Sequence, residues 1–237
     1  MEKVTVIIPS YNRFKYLIHN LHFIKNQTYS NLEIIIVNDC SSEKEYYDHN
    51  WEKEGVIIIH LPERTKDKFG YGCVGYVRNI GIDRASGKYI AFCDDDDTWL
   101  PNKLELQIKA MMSTDCRMSC TDGLYGQGLY NPSNKYKRYN GEHHYKTLQR
   151  KYKPHGDLLA KGFPRIWTQR FIKIHNCIIN SSVVVEKDIL IKAGKIPNDQ
   201  RGQDYKAWLN CIKYTNCVYI DDICFYYDSS HGSGSNH

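Results

Sequence analysis

The chain has 237 residues, 41% hydrophobic and 25% charged, which fits a single globular domain with a generous core and excludes a low-complexity or fibrous protein. Thirty-two Lys and Arg against 27 Asp and Glu give a formal charge of +5, an excess that suits an anionic small molecule as well as a polyanion and does not by itself indicate nucleic acid. Nine scattered cysteines without a CxxC pair argue against a disulfide framework or zinc site, and no apolar run approaches the roughly 20 residues of a membrane span, so a soluble, cytoplasmic protein with at most peripheral membrane contact is expected.

In chain order, the first half alternates short apolar runs with helix-like segments. A strand is predicted at Val4 to Ile8, a helix at Lys15 to Lys25, a strand at Glu33 to Val37 and a polar helix at Glu43 to Glu52. A strand at Val56 to Leu61, a helix at Val74 to Ala85 and a strand at Tyr89 to Cys93 follow. This alternation predicts an α/β fold with a mostly parallel sheet covered by helices on both faces. After Pro101 a helix is predicted at Lys103 to Met112, and residues 123–162, rich in Gly, Tyr, Lys and Asn, read as long loops over a site. A strand at Asn176 to Val185, helices at Lys187 to Ala193 and Gln203 to Tyr214, and a short strand at Cys217 to Ile220 complete the pattern. Cys93 and Cys177 lie in apolar, strand-like runs and read as small core residues.

The predicted strands end in polar clusters: Pro9-Ser-Tyr-Asn-Arg13, Asn38-Asp39 and the run Asp94-Asp95-Asp96-Asp97. Ligands of open α/β sheets bind at that edge. Four adjacent carboxylates repel one another, so burial demands a metal, a basic side chain or protonation. Oxygen ligands of this kind suit Mg2+ or Mn2+. If the backbone stays extended beyond Cys93, Asp94 and Asp96 share one side and Asp95 and Asp97 the other. Asp97 also reads as a cap for the following helix, with Pro101 in its first turn.

Five pieces in the right order carry a resemblance: Val4-Thr-Val-Ile-Ile-Pro-Ser-Tyr-Asn-Arg13, Gln27-Thr-Tyr-Ser-Asn31, Glu33-Ile-Ile-Ile-Val-Asn-Asp39, Arg78-Asn-Ile-Gly81 and Phe92 to Pro101. Together the chain resembles a family 2 glycosyltransferase of the GT-A fold, a single Rossmann-like domain. The resemblance implies inverting transfer of a sugar from a nucleotide diphosphate donor to an acceptor hydroxyl, as in glycan or polysaccharide synthesis. Residues 1–100 would form the donor-binding half and 101–237 the acceptor and base half. By the same resemblance Pro9, Tyr11 and Arg13 line the nucleotide pocket, and Asp39 accepts a hydrogen bond from the imide of uracil or thymine, or else caps the Glu43 helix. Arg78 meets the diphosphate, Asp96 holds Mn2+ or Mg2+, Asp94 meets the donor ribose or the metal shell, and Asp95 is a secondary contact. Asp204 is the matching catalytic base, or a first-turn helix acid, and Gln203 stands where the family has Glu. His231 is a candidate metal or diphosphate ligand, or part of a polar tail.

The segment Lys135 to His155 mixes Lys, Arg, Tyr and His, a composition suited to an anionic or glycan acceptor, to single-stranded nucleic acid or to a solvated lid. Two other readings compete: a nucleotidyltransferase making a nucleotide sugar, which would carry a Gly- and Lys/Arg-rich phosphate loop after the first strand, where Ser10-Tyr-Asn-Arg13 stands, and a catalytically silent binding module.

Overall fold

The computed structural model describes residues 1–231; Gly232 to His237, the last part of the polar tail, lie outside the described residues. In chain order the elements are β1 (Val4–Ser10), α1 (Phe14–Lys25), β2 (Leu32–Asn38), α2 (Glu45–Asp48), β3 (Ile57–His60), α3 (Thr65–Phe69), α4 (Val74–Arg84) and β4 (Tyr89–Phe92). Then come β5 (Thr98–Trp99), α5 (Lys103–Met112), β6 (Met118–Gly126), β7 (Lys137–Arg138), α6 (Tyr145–Tyr152), β8 (Ile166–Trp167), α7 (Gln169–Ile174), β9 (Val184–Glu186), α8 (Lys187–Lys192), α9 (Gln203–Cys211) and β10 (Cys217–Asp228). One sheet runs β3-β2-β1-β4-β9-β6-β10-β5, with β7 on β6 and β8 on β10.

The long ladders are parallel. β1 pairs with β2 from Val4↔Leu32 to Ser10↔Asn38 and with β4 from Val4↔Tyr89 to Ile7↔Phe92. Strand alternation divides the core: Ile7, Ile35, Val37, Ile90 and Phe92 pack on the side of Val77 and Trp208, whereas Val6, Ile8, Ile34, Ile36 and Ala91 pack on the side of Leu17, Leu21 and Leu104. Both faces are therefore apolar. Gly81 lets α4 approach β1, because a Cβ there would stand 2.7 Å from Ile7 Cγ2.

The second half departs from the predicted pattern. Residues 123–162 are more ordered than long loops: they carry the end of β6, then β7, a π-helical turn at Tyr139–His143 and α6. The predicted strand from Asn176 to Val185 is interrupted by a 3-10 turn at Asn180–Ser182, leaving only β9, so Cys177 is a core residue but not a strand residue. β10 is three times the predicted length and shifts register at Ile220/Ile223 and Ile223/Tyr226 to reach Asp228 beside β6. The polar helix at Glu43 to Glu52 shrinks to α2. All nine cysteines are free thiols, eight of them buried. Among the described residues no helix is long and apolar enough to cross a membrane.

Two ionisable side chains sit deep in this half away from the strand ends at Asp94 to Asp97. Asp122, fully buried on β6, accepts backbone N–H bonds from Gly123 and Asn140 (2.9 Å each) and Gly141 (3.0 Å), and Arg138 Nε lies 3.0 Å away. It thereby fixes the turn that carries Tyr139. Lys103, also fully buried, donates to Gln107 Oε1 (2.6 Å) with its ammonium 4.1 Å from the Trp99 ring centre, and burial pulls its pKa down to about 7.

Candidate functional site

A cleft of about 510 Å³ opens where β1, β2 and β4 end, and ten residues singled out from the sequence line it: Pro9, Tyr11, Arg13, Asp39, Arg78, Asp94, Asp95, Asp96, Asp204 and His231. Tyr11 projects at the rim, 39% exposed, with its hydroxyl accepting from Arg64 Nη1 (3.3 Å). Asp39 follows β2, and its carboxylate accepts from the Thr65 N–H (2.7 Å) and hydroxyl (2.6 Å). It therefore caps α3, not the Glu43 helix. Arg78 is buried in α4, with Nη2 2.5 Å from Asp94 Oδ1.

The aspartate run is a turn rather than extended chain, closed by a bond from the Asp97 N–H to the Asp94 carbonyl (3.2 Å). The expected alternation does not hold. Asp95 and Asp96 instead converge on one guanidinium: Arg13 Nη1 lies 3.1 Å from Asp95 Oδ1 and 2.7 Å from Asp96 Oδ2. Asp95 is further held by the Ser10 hydroxyl (2.7 Å), so it orients Arg13 as well as lining the cleft. Asp94 holds Arg78 and the Asn180 amide (3.0 Å). Asp97 is no helix cap, because α5 starts at Lys103 behind Asn102 and Pro101 precedes that helix. Buried, it accepts from the Ser181 hydroxyl and from the Asp228 N–H (3.0 Å), joining β10 to the turn.

Two arginines do not neutralise these carboxylates. Burial, then Asp95, Asp94 and Asp228, push Asp96 up to about 8 against the pull of Arg13. Asp97 is also raised well above the ordinary carboxylate range, first by burial and then by Asp96 and Asp94. The cluster is short of positive charge.

Asp204 opens α9 after Gly202, which takes a left-handed conformation (φ 66°). Its carboxylate accepts from the Tyr205 N–H (2.7 Å). Burial raises its pKa and nearby Arg78 opposes that, leaving a more basic carboxylate than an exposed aspartate. Gln203 Oε1 and Asn180 Oδ1 are buried without hydrogen-bond partners, although both side chains line the same cleft. His231 is no loose tail residue: its Nδ1 lies 2.9 Å from Asp228 Oδ2 and 3.9 Å from Asp96 Oδ2, its carbonyl accepts from Arg13 Nη2 (3.2 Å), and its ring packs edge-on against Tyr16. Asp228, Asn180 and Arg201 were not singled out from the sequence. Asp228, three residues before His231, had a usable signal in that spacing, whereas Asn180 sits in an unremarkable apolar context.

The residues fit a divalent cation. Asp96 supplies a hard oxygen, and an Nδ1–H donated to Asp228 leaves the lone pair of His231 on Nε2. Among the described residues no three His, Cys, Asp or Glu side chains form a group that could hold a metal ion, so a cation here would need water or substrate oxygens to complete its shell.

Residues 5–172 match the family described as Glycosyl transferase family 2. Over 240 residues the chain is 27% identical to the Escherichia coli UDP-Glc:alpha-D-GlcNAc-diphosphoundecaprenol beta-1,3-glucosyltransferase WfgD, covering 98% of this chain and 79% of that one. Other curated glycosyltransferases that match better locally are spanned over only 15% and 45% of their length. The fold is similar to Staphylococcus aureus TarS 1-349 in complex with UDP-GlcNAc (TM-score 0.67, 18% identity, 97% of this chain and 59% of that chain). It is also similar to the mannosyltransferase PcManGT of Pyrobaculum calidifontis in complex with GDP-Man and Mn2+ (TM-score 0.63, 17% identity, 99% and 58%). With the GT-A-like sheet and the family match over most of its length, this chain belongs to glycosyl transferase family 2.

Proposed function

We propose that the protein is an inverting glycosyltransferase that moves a sugar from a nucleotide diphosphate donor, UDP or dTDP favoured, to an acceptor hydroxyl in glycan or polysaccharide synthesis. The observation that carries this reading is the convergence, in one cleft, of a charge-deficient aspartate turn, two arginines and a separate basic carboxylate on α9. Pro9, Tyr11 and Asp39 receive the nucleotide, whose planar base suits the exposed Tyr11 ring. For Asp39 to accept the imide N–H it must share lone pairs already engaged by Thr65. Arg13 and Arg78 face the diphosphate, and Asp94 and Asp95 hold those guanidiniums in place. Mn2+ or Mg2+ bound by Asp96 and His231 would offset the negative charge that develops on the departing diphosphate. Asp204 takes the proton of the acceptor hydroxyl as its oxygen bonds the anomeric carbon and the bond to the diphosphate oxygen breaks. Residues 1–100 serve mainly the donor and 101–237 mainly the acceptor and base. Ser10-Tyr-Asn-Arg13 lacks the phosphate loop of a nucleotidyltransferase.

The test is nucleotide release from a panel of UDP, dTDP and GDP sugars with Mn2+, in wild type and Asp204→Asn. Turnover should fall by about 10²–10⁴ in the variant with nucleotide affinity retained. An Asp204→Asn protein that turns over within tenfold of wild type, on the order of 1.4 kcal/mol, would remove the assigned base.

A further inference from the structure

A second uneven charge distribution lies outside the cleft's chemistry. From Lys135 to Lys173 the sequence holds eleven Lys and Arg against Glu142 and Asp157, an excess of nine positive charges; the whole chain carries +5, so everything outside this stretch is net acidic.

The fold gathers six of those cations. On α6, Leu148 and Tyr152 are buried while Lys146 and Arg150, one turn apart, are exposed. The Tyr152 hydroxyl donates to the Phe171 carbonyl of α7 (3.1 Å), and Arg170 Nη2 on α7 donates to the His155 carbonyl (2.9 Å). Lys151 Nζ lies 3.1 Å from His175 Nδ1 just beyond α7. These contacts make α6, the 3-10 turn Lys153–His155 and α7 one surface bearing Lys146, Arg150, Lys151, Lys153, Arg170 and Lys173. Among the described residues, none of the six has an acidic side chain within ion-pair distance. A face that only needs hydration normally intersperses both signs. This one does not.

The chemistry of the face selects among polyanions. Among the described residues the large exposed hydrophobic aromatics are Tyr11, Tyr47 and Tyr214, none of them in α6, the Lys153–His155 turn or α7, and with His155 the one exposed aromatic ring in those elements nucleic acid bases would find little to stack on. Among the described residues the large exposed aliphatic and thioether side chains, Met1, Met112, Ile191 and Ile223, are also elsewhere, so attachment would rest chiefly on charge. Clustered Lys and Arg of this number suit the negative potential of an acidic bilayer. We propose that the α6–α7 face docks the protein on an anionic lipid surface. The cleft wall runs directly into that face, through Tyr139 before α6 and Asn176 after α7.

Sedimentation with vesicles of phosphatidylcholine alone, or containing about 30% phosphatidylglycerol, tests this at low salt. The protein should sediment with the acidic vesicles only and be released by about 0.5 M NaCl. Combined Lys146→Glu, Arg150→Glu, Lys153→Glu and Lys173→Glu, all at exposed positions, should cut binding at least about tenfold without lowering Tm. Gln replacements at the same four sites serve if the Glu protein unfolds early. Wild type left in the supernatant, equal binding to neutral vesicles, a variant that binds like wild type, or tighter binding to a single-stranded oligonucleotide than to the vesicles would each overturn the proposal.

Discussion

Protonation of Asp96 should tie both stability and metal uptake to pH. Its carboxyl titrates at about 8 in the fold, against 3.8 for the group in an open chain. Between those values the folded protein keeps a proton that the unfolded chain has released. The associated stability is therefore complete below about pH 4 and is lost as pH rises to 8, at about 1.4 kcal/mol per pH unit. From pH 5 to 7 the loss is about 3 kcal/mol, and at about 2–4 °C per kcal/mol for a chain of this size it lowers Tm by about 6–12 °C. Asp96→Asn keeps the shape and cannot ionise, so its Tm should show a shallower slope than wild type; burial also raises Asp95 and Asp97, so the stated drop is a maximum for Asp96 alone. Because the proposed cation needs the carboxylate, Mn2+ binding below pH 8 should expel one proton and strengthen about tenfold per pH unit. The assays are thermal melts of both proteins from pH 5 to 8, and calorimetry with Mn2+ in buffers of different ionisation enthalpy. Parallel melting profiles, or Mn2+ affinity indifferent to pH, would refute the reasoning.

Two further outcomes concern the buried charges of the second half. Asp122→Ala strands the Gly123, Asn140 and Gly141 N–H groups and Arg138, and should cost about 3–5 kcal/mol in urea unfolding; a loss under about 1 kcal/mol would show that the turn holds itself. Lys103 titrates at about 7 when folded and 10.5 when unfolded, so wild-type stability gains from rising pH across that window. Lys103→Met removes the gain, and its Tm relative to wild type should fall steadily from pH 7 to about 10; a constant difference counts against a buried, titrating amine.

The first half was legible because its strands are uninterrupted apolar runs, which helices on both faces require, and because polar residues follow each of them. β6 was not legible. Ser119, Thr121 and Asp122 look like loop residues, yet all are buried, with Ser119 bonded to Gln107 and Asp122 to the Asn140 turn. Such partners are distant in sequence, and no local periodicity announces them. The same holds for the site: residue identities place ten side chains in one cleft, but the aspartate run departs from extended geometry because its own backbone bond closes it into a turn. Likewise β5, two residues long, exists only because β10 arrives to pair with it.

The bond from Arg13 to the carbonyl of His231, 218 positions later, bears on how the protein is made. Chains emerge from the ribosome N-terminus first and fold by units. Arg13 and the aspartate turn are present early, but Asp97 waits for the Asp228 amide and Arg13 for the His231 carbonyl. Until β10 is synthesised, the nascent chain holds a crowd of carboxylates with no finished enclosure, so any product that stops short of Cys217 should be both unstable and inert.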